Sequence, residues 1–544
     1  MATTLQRPPE TLGAIGRPAG PPAGGRWVVV VGCLGLVALA VWNTVHKSLW
    51  TDEAYSLLTA NQSIAWTWHQ ALWFELQPPL YFLLLNLWLH AGTATVEWAR
   101  ILSTLCVLGS VFLLSRAARP TRAGRGIPAP ILAAVTATFV WAAAEARGYG
   151  LALLLSSATY YLFLRIVTGR SQRPTRDAAW YAVIAYLGLM TMYYTGFVLL
   201  GQWAAAMVVR RGRVRLTAAL AVCGVAMLPW VPVVLSQVGG HANLNQPFGE
   251  EVATSTLPGG AVAILSRDFL GAIFAASPML DRPNVAIGVA VLLLLVLAIR
   301  LAAVVRARSP RLGTDDRAHD THRLPGIDWG DDETVLTIAV AVPAICLLAL
   351  RVTNATLVWP RHMAALAPGV VLLWSIWTAR APAGLWSRLS AGALLLVCLT
   401  TLISYERHAD VADSRGAARY VAARGAAGEP VLVVGPEAVF AFRYYYRADD
   451  GRATVRGVPQ DASLRVYDPD AGDLTDTTQI EARLGAGAQP GRSLRDVWFV
   501  VSKRFVWHSA TAAAVFERYL RAHAVQRDSI DFTNLYVVHA ALRQ

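Results

Sequence analysis

Two adjacent carboxylates, Asp52 and Glu53, follow the first long apolar stretch of the sequence, in the run Trp-Thr-Asp-Glu-Ala-Tyr at residues 50–55. A carboxylate beside hydrocarbon is costly to keep charged and tends to serve a function. One could act as a general base towards an attacking hydroxyl group, and two about 5–5.5 Å apart would permit a covalent route. Alternatively, Thr51 or Asp52 caps a helix whose first turn carries an acid. The residues alone leave both interpretations open.

A second polar motif, Glu-Leu-Gln-Pro-Pro-Leu-Tyr, occupies residues 75–81 and contributes Glu75, Gln77 and Tyr81 as candidates. Its paired prolines favour an extended backbone and lack two N–H donors. The motif could therefore hold Glu75 and Gln77 towards the first carboxylates. A plain helix breaker before an interfacial helix is the alternative.

A third motif, at residues 145–149, contains Glu145, Arg147 and Tyr149. The acid and the guanidinium could simply pair with each other. Arg147 could equally hold a phosphate group, whose oxygens it matches with two parallel hydrogen bonds.

Arg361 and His362 form a fourth motif, at the start of a late apolar block. An arginine at a membrane boundary can snorkel towards water, or it can bind an anion. Arg351 is a weaker candidate of the same type.

The elements that position these motifs are apolar blocks. The chain has 544 residues, of which 55% are hydrophobic and 15% are charged, against about 25% charged in an average soluble domain. Many of the blocks are long enough to cross a membrane as a helix. We expect about eleven transmembrane helices, at residues 27–45, 97–115, 127–144, 149–166, 178–193, 196–209, 216–234, 284–304, 334–350, 363–379 and 389–404.

Arginines are concentrated in alternate loops, as in the runs at 116–125 and 210–215. The positive-inside rule then predicts a cytosolic N-terminus and places all four motifs on the extracytoplasmic side of a plasma membrane. The apolar segment 79–89 is too short to span. We place it in the first outside loop, residues 46–96, on or in the bilayer surface.

Three regions follow from these patterns. Residues 1–26 are rich in Pro and Gly, and we expect a disordered cytosolic segment. Residues 27–404 form the membrane domain. Residues 405–544 are polar and predict an extracytoplasmic α/β domain, with strands at 431–435, 497–501 and 535–538 and a helix at 512–523.

Charge and cysteine content exclude other classes. The formal charge is +13, but the arginines follow membrane topology, so nucleic-acid binding is not expected. The five cysteines lie in apolar blocks and are interpreted as helix fillers. A divalent metal is compatible with the acidic loops, but no ligand spacing supports one and no other cofactor is indicated.

Together the motifs resemble the GT-C glycosyltransferases of the family 39 type, a group that includes protein O-mannosyltransferases and the aminoarabinose transferases of lipid A. The resemblance rests on Asp-Glu at 52–53, Gln-Pro-Pro-Leu-Tyr at 77–81, Glu-Ala-Arg-Gly-Tyr at 145–149, Leu-Pro-Trp at 228–230 and Arg-His at 361–362. It covers about residues 27–404 and implies a GT-C-like fold.

The resemblance also implies an activity: transfer of a sugar from a polyprenyl-phosphate donor to a hydroxyl group on an envelope glycan, lipid or protein, with inversion. Asp52 would be the catalytic base or orient the acceptor, with Glu53 beside it, and Arg147 and Arg361 would hold the donor phosphate. Glu145, Tyr149, Glu75, Gln77, Tyr81 and His362 would support them. His362 stands where the family usually has Tyr, and Gln77 where it often has Lys or His.

Two other classes compete with this interpretation. A transporter or flippase for lipids or sugars would place charges within its spans and show inverted repeats, whereas here the charges gather at the predicted outer ends. A scaffold protein would need no acids beside the bilayer. A donor-dependent transfer assay separates the three.

Overall fold

Long apolar helices make up the described chain as far as His408, and every described strand comes after residue 430. The structure is a computed structural model. It describes residues 24–118, 126–242, 260–274, 277–308, 332–353, 360–380, 385–408, 411–426, 429–446, 455–459, 474–485, 496–503 and 510–543. Most of the predicted disordered segment 1–26 and most of the arginine-rich run at 116–125 lie outside these residues.

The helices of the first part are α1 (Gly24–His46), α2 (Thr51–Ala60), α3 (Ile64–Trp73), α4 (Leu80–His90), α5 (Val96–Ala117), α6 (Ala129–Val135), α7 (Ala137–Ala143), α8 (Tyr149–Val167), α9 (Pro174–Leu189), α10 (Thr195–Val209), α11 (Arg213–Met227), α12 (Val231–Ala242), α13 (Ala261–Phe274), α14 (Pro283–Arg308), α15 (Asp332–Thr353), α16 (Ala367–Arg380) and α17 (Leu385–His408). Short 3₁₀ turns, Leu228–Trp230 and Pro360–Leu366, precede α12 and α16.

Every predicted span coincides with a helix or with consecutive helical segments. Within the described residues, seven segments are long and apolar enough to cross a membrane: Trp27–His46, Val96–Ala117, Tyr149–Val167, Arg213–Gly239, Asp332–Thr353, Arg361–Arg380 and Arg388–Arg407. The prediction of a polytopic helical membrane protein is confirmed, while the number of crossings and their direction stay predictions.

Two features depart from the predicted spans. The span at 127–144 is broken at Thr136, whose backbone is extended between α6 and α7 and whose hydroxyl donates to the Leu132 carbonyl at 2.6 Å, a bond that competes with regular helix. Helix α13 was not expected, because Arg267 and Asp268 interrupt its apolar pattern. Asp268 is buried and accepts hydrogen bonds from Arg267 and Arg351, so neither charge is left uncompensated.

Helix α4 is too short to cross the bilayer. Its 11 residues cover about 16 Å, as expected for a segment placed in the first loop. Asn86 on α4 is buried, and its amide donates to the carbonyls of Ala60 and Gln62, both at 2.7 Å. The end of α2 is thereby held on α4.

Small residues bring α8 against α5. A Cβ on Gly150 would lie 2.9 Å from the Ser103 carbonyl oxygen, closer than side-chain atoms tolerate. Farther along the same helix pair, the hydroxyls of Ser110 and Ser157 form a buried hydrogen bond of 2.6 Å. Close packing and interhelical hydrogen bonds of this kind join membrane helices, and they bring the segment before α8 next to the start of α5.

The C-terminal part is an α/β domain with a five-stranded sheet in the order β2-β1-β3-β5-β4. Its elements are α18 (Ser414–Arg424), β1 (Val431–Val434), α19 (Pro436–Tyr445), β2 (Val455–Val458), α20 (Thr478–Gly485), β3 (Asp496–Ser502), α21 (Ala510–His523), β4 (Ala524–Phe532) and β5 (Leu535–Leu542). Strands β2, β1 and β3 run parallel, and β5 and β4 add antiparallel. One of the two edge strands, β4, is exposed along nearly all of its length.

The predicted strands at 431–435, 497–501 and 535–538 and the helix at 512–523 occur as β1, β3, β5 and α21. Apolar side chains cover both faces of the sheet, which is why β1 and β3 read as continuous apolar runs. The boundary at residue 405 stays a prediction.

The sheet domain lies against the end of the membrane helices where α1 ends and α5 begins. The Ser48 hydroxyl donates to Asp413 at 2.9 Å, and the Val96 N–H donates to the Tyr444 hydroxyl at 2.8 Å. A cavity of about 430 Å³ opens beside this contact and is lined by Thr44, Val45, His46, Glu97, Asp413, Arg415, Gly416 and Arg419.

Candidate active site

Helix α2 carries the first pair of acids in its first turn. Its N-cap is Trp50, in extended conformation, and no side chain caps the helix. Asp52 and Glu53 are therefore both helical residues, and the alternative in which Thr51 or Asp52 acts as the cap is wrong. Because consecutive helical residues point about 100° apart, the two carboxylates face different surroundings.

Glu53 points into the protein and is fully buried. Arg100 on α5 holds it with two hydrogen bonds, Nε to Oε1 at 2.9 Å and Nη2 to Oε2 at 2.6 Å. The Ala146 N–H donates to the same carboxylate at 2.7 Å. Arg100 also donates to the carbonyls of Lys47 and Ser48. This pair therefore connects the end of α1, the start of α5 and the segment before α8.

Arg100 is the main site-forming residue that the sequence analysis missed. It lies inside the predicted span 97–115 and belongs to none of the four motifs. A signal was present, since an arginine within an apolar helix needs an acidic or carbonyl partner.

Asp52 points the other way and remains accessible, with 24% of its side chain exposed. Arg361 Nη1 donates to its Oδ2 at 3.1 Å, and Arg147 Nη2 lies 4.0 Å from the same atom. The first acid and both candidate phosphate-binding arginines thus meet at one carboxylate oxygen, although they lie far apart along the chain.

Arg147 does not pair with Glu145, which the sequence had left open. It is buried, and its Nη1 donates to Glu75 Oε2 and to the Ser56 hydroxyl, both at 2.8 Å. The same atom also donates to the Asp52 carbonyl at 3.2 Å. Arg147 thus fixes the first turn of α2 and joins it to Glu75.

Glu75 reaches this position through an unusual backbone. The next residue, Leu76, has a φ of 51°, a left-handed conformation that is uncommon for residues other than glycine. The Thr59 hydroxyl donates to Glu75 at 3.4 Å. Burial raises the pKa of Glu75 although Arg147 lies beside it. Glu75 thus lies beside the first acids through Arg147, and the part that the paired prolines play in holding it there stays a prediction.

Gln77 does not bind to the cluster that contains Glu75. Its side chain makes no hydrogen bond within the described part of the chain, and its backbone N–H donates to the Ala71 carbonyl at 3.0 Å.

Glu145 contacts Trp50, the N-cap residue of α2. The Trp50 indole N–H donates to Glu145, and the Arg361 guanidinium lies 5.6 Å from the centre of the Trp50 ring, within cation–π range. Burial, and then the negative charge of Glu53, raise the pKa of Glu145 well above its usual value. Four carboxyl groups and three guanidiniums form the cluster.

The remaining candidates border this cluster. Tyr149 is buried, with its ring 4.3 Å from Trp141, and a Cβ on Gly148 would lie 3.4 Å from the Cβ of the buried Tyr81. The His362 ring stacks on Tyr194, with 4.9 Å between the ring centres.

Arg351 is not part of this cluster, because its Nε donates to the buried Asp268 at 2.7 Å.

Among the residues that the structure describes, no group of three or more His, Cys, Asp and Glu side chains could hold a metal ion.

The arrangement provides one accessible carboxylate, one partly exposed guanidinium beside it, and a buried layer that fixes both. It can accept a proton from a hydroxyl group and can stabilise a nearby anion.

Most of the chain is similar in fold to the crystal structure of ArnT from Cupriavidus metallidurans bound to undecaprenyl phosphate. The TM-score is 0.50 and the identity 13%, over 95% of this chain and 98% of that chain. The apo structure of the same protein gives the same values. No protein-family model and no curated protein sequence matches the chain.

Two further structures are less similar. The oligosaccharyltransferase of Archaeoglobus fulgidus gives a TM-score of 0.45 at 11% identity, over 95% of this chain and 74% of that one. The arabinofuranosyltransferase AftD from Mycobacteria gives 0.39 at 16% identity, over 95% and 40%. At 13% identity, the similarity to ArnT shows the fold alone. The predicted GT-C-like architecture, with helical membrane part and C-terminal α/β domain, is confirmed by the match to ArnT.

Proposed function

We propose that the protein is a membrane glycosyltransferase that moves a sugar from a polyprenyl-phosphate donor to a hydroxyl group in the cell envelope, with inversion at the anomeric carbon. The observation that carries the proposal is the meeting of Asp52 with Arg361 and Arg147, within 4.0 Å, at one accessible oxygen. The fold is that of a protein crystallised with undecaprenyl phosphate. This supports a lipid phosphate as donor.

The proposed reaction is a single displacement. The acceptor oxygen bonds to the anomeric carbon, and its proton passes to Asp52. The bond between the anomeric carbon and the phosphate oxygen breaks, and its electron pair leaves with the polyprenyl phosphate. The developing negative charge needs fixed positive donors. No covalent enzyme intermediate is required, because Glu53 is fully engaged by Arg100 and cannot serve as a second nucleophile.

Arg361 and Arg147 have different roles in the proposed reaction. With 37% of its side chain exposed, Arg361 can turn to a phosphate oxygen when the donor enters, and doing so frees Asp52 to act as a base. Only 4% of the Arg147 side chain is exposed, and it already bonds Glu75. We therefore assign donor contact first to Arg361, and to Arg147 the fixing of Asp52 and Glu75 together with long-range charge stabilisation.

The other candidates would act through these groups. Glu53 positions the first turn of α2, and Glu145 orients Trp50 beneath Arg361. Tyr149, Tyr81 and His362 would border the donor. The arginine distribution supports an extracytoplasmic site in the plasma membrane.

The test uses the full chain in proteoliposomes with radiolabelled undecaprenyl-phosphate hexoses and pentoses and an envelope extract as acceptor source. We expect release of undecaprenyl phosphate and labelling of the extract, with no labelling from nucleotide sugars. Label that crosses the bilayer still attached to its lipid would show a transporter instead. Release no faster than in protein-free liposomes, for every donor, would reject the transferase.

A further inference from the structure

The segment that leads into the proposed base is held from two opposite sides. Residues 47–50 join α1 to α2 and end two residues before Asp52. From the membrane helices, Arg100 donates to the carbonyls of Lys47 and Ser48 at 3.2 and 3.3 Å. From the C-terminal domain, the Tyr445 hydroxyl accepts the Leu49 N–H at 2.8 Å.

The start of α2 needs this support because its own sequence supplies none. Trp50 stands at the N-cap, and its side chain has no oxygen that could cap the N–H groups of the first turn. The uncapped turn carries Asp52. Its position therefore depends on contacts made before and after it.

Helix α19 of the C-terminal domain contacts both sides of this turn. Besides Tyr445 at Leu49, Phe440 packs edge-on against Tyr55, with 5.4 Å between the ring centres. Tyr55 lies three residues after Asp52 and so shares its helix face. Leu49 is fully buried, and Phe440, Tyr444 and Tyr445 pack against the small core formed by α2, α4 and the start of α5.

Arg415 reinforces the same contact. Its guanidinium lies 5.1 Å from the centre of the Tyr445 ring and donates to the Tyr445 hydroxyl and the Thr44 carbonyl, both at 3.3 Å. It also donates to the Val45 carbonyl. The last residues of α1 and the Tyr445 ring are thereby joined through one side chain.

We infer that Tyr445 is a positioning residue for the transfer reaction: the C-terminal domain sets the placement of Asp52 by gripping residues 47–50 through the Tyr445 hydroxyl. The inference rests on the proposed function of Asp52. It gives the C-terminal domain a part in the chemistry without requiring it to touch either substrate.

The chain provides a matched control in the preceding residue. The Tyr444 hydroxyl also accepts a backbone N–H of the membrane part, at the same distance of 2.8 Å, but from Val96 at the start of α5. Tyr444→Phe and Tyr445→Phe thus remove the same atom from the same helix. Only the second deletion acts on residues 47–50, the segment that leads into Asp52.

In the proteoliposome assay we expect Tyr445→Phe to lower kcat about fivefold, the factor equivalent to about 1 kcal/mol, with an unchanged KM for the lipid-phosphate sugar. Tyr444→Phe should keep kcat and lose a small amount of thermal stability. Tyr445→Phe should lose more, because its hydroxyl also accepts a hydrogen bond from Arg415. Equal kcat values for the two variants, or a KM effect without a kcat effect, would overturn the inference.

A measurement that needs no turnover separates this inference from the proposed function. Tyr445→Phe should speed amide hydrogen exchange in the peptide that contains Leu49, and Tyr444→Phe in the peptide that contains Val96. If the wild-type protein transfers no sugar and this pattern holds, the proposed function fails while the grip on residues 47–50 stands. If the Leu49 peptide exchanges equally in both variants, the grip is refuted.

Phe440→Leu provides a second variant for the case in which Tyr445→Phe unfolds. It removes the ring contact with Tyr55 and leaves every hydrogen bond in place. We expect a twofold to threefold lower kcat at unchanged KM, and an unchanged kcat would count against the inference.

Discussion

Asp52 and Glu53 are neighbours of nearly identical chemistry, yet they belong to two different regions of the site. The closed side consists of Glu53, Arg100 and the Ala146 N–H, and it is buried with three hydrogen bonds on one carboxylate. The open side consists of Asp52, Arg361 and the Nη2 end of Arg147, where one hydrogen bond of 3.1 Å holds a partly exposed carboxylate.

The difference separates stability from chemistry. A buried carboxylate with every bond made cannot exchange partners cheaply, since each lost bond leaves an uncompensated charge. A carboxylate with one exposed partner can release it to a substrate. The closed side should therefore respond to mutation in the free energy of unfolding, and the open side in the rate.

The largest effect should be on the rate, at the open side. Asp52→Asn keeps the shape of the side chain but removes the proton acceptor, so kcat should fall about 10²- to 10⁴-fold. The unfolding temperature should stay within a few degrees of wild type. Undecaprenyl phosphate release, measured in proteoliposomes, checks this.

The control is Asp332→Asn, which changes another first-turn aspartate with an arginine partner, Arg170. It should retain full turnover. An Asp52→Asn protein with the turnover of this control would remove Asp52 from the reaction.

The next largest effect should be on stability, at the closed side. Glu53→Gln leaves the buried Arg100 charge uncompensated, so we expect a loss of about 3–5 kcal/mol in the free energy of unfolding. Thermal and denaturant unfolding in detergent measure it.

The double variant Glu53→Met with Arg100→Met removes both charges and should be more stable than Glu53→Gln, because paired apolar replacements avoid the unmatched ion. A Glu53→Gln protein as stable as wild type would show that the ion pair of the closed side does not contribute to the free energy of unfolding.

A smaller effect should appear at Arg361 of the open side, in the KM for the sugar donor and not for the acceptor. Arg361→Lys keeps the charge but loses the two-pronged donor geometry that fits a phosphate. We expect KM for the lipid-phosphate sugar to rise about tenfold, with kcat changed less.

Arg165→Lys is its control. Arg165 has a similar exposure, 32% of its side chain, and pairs with Asp177 near the other end of α8. Its donor KM should equal that of wild type. Equal KM values for the two variants would place the phosphate away from Arg361.

The last effect is a pH dependence of stability at Lys47, whose carbonyl accepts a hydrogen bond from Arg100 of the closed side. Burial lowers the pKa of Lys47 from 10.5 to about 8. Between these values the unfolded chain binds more protons at Lys47 than the folded chain, so this residue makes stability rise with pH. Unfolding temperatures of wild type and Lys47→Met across pH 7 to 11 give the difference.

Wild type should gain stability relative to Lys47→Met from about pH 8 to pH 10.5. A difference that shrinks over this interval would mean that the Lys47 charge is stabilised by Glu406, 3.7 Å away, more than it is penalised by burial.

Hydropathy and charge predicted the membrane fold well because a bilayer leaves few alternatives. A spanning segment must be a helix of nearly fixed length, so each predicted span met a helical segment. The same reasoning failed at Thr136 and at α13. At Thr136 a local hydroxyl bond breaks the helix, and at α13 the ion pairs of Asp268 allow a helix to form around charged residues. The mean hydropathy of a sequence window contains no information about such specific partners.

Half of the candidate site was predictable for a similar reason. Motifs at one predicted end of the spans were expected to meet, and Asp52, Arg147 and Arg361 do. Their pairing was not predictable, because rotation of one residue in a helix turn decides whether an acid is buried or open. Arg100 and Tyr445 were missed since neither belongs to a motif, and each acts through a backbone or a buried contact.

The exposed edge strand β4 affects how copies of this protein interact when they lie side by side in one membrane. Along β4 a row of backbone groups faces away from the sheet, and such an edge can recruit a strand from a second copy. The β4 residues Arg527, Asp528 and Asp531 are exposed and carry charges of both signs, and Arg527 and Asp531 form ion pairs with Glu517 and Lys503. Charged edges resist strand addition, so neighbouring molecules should diffuse past one another without forming a continuous sheet.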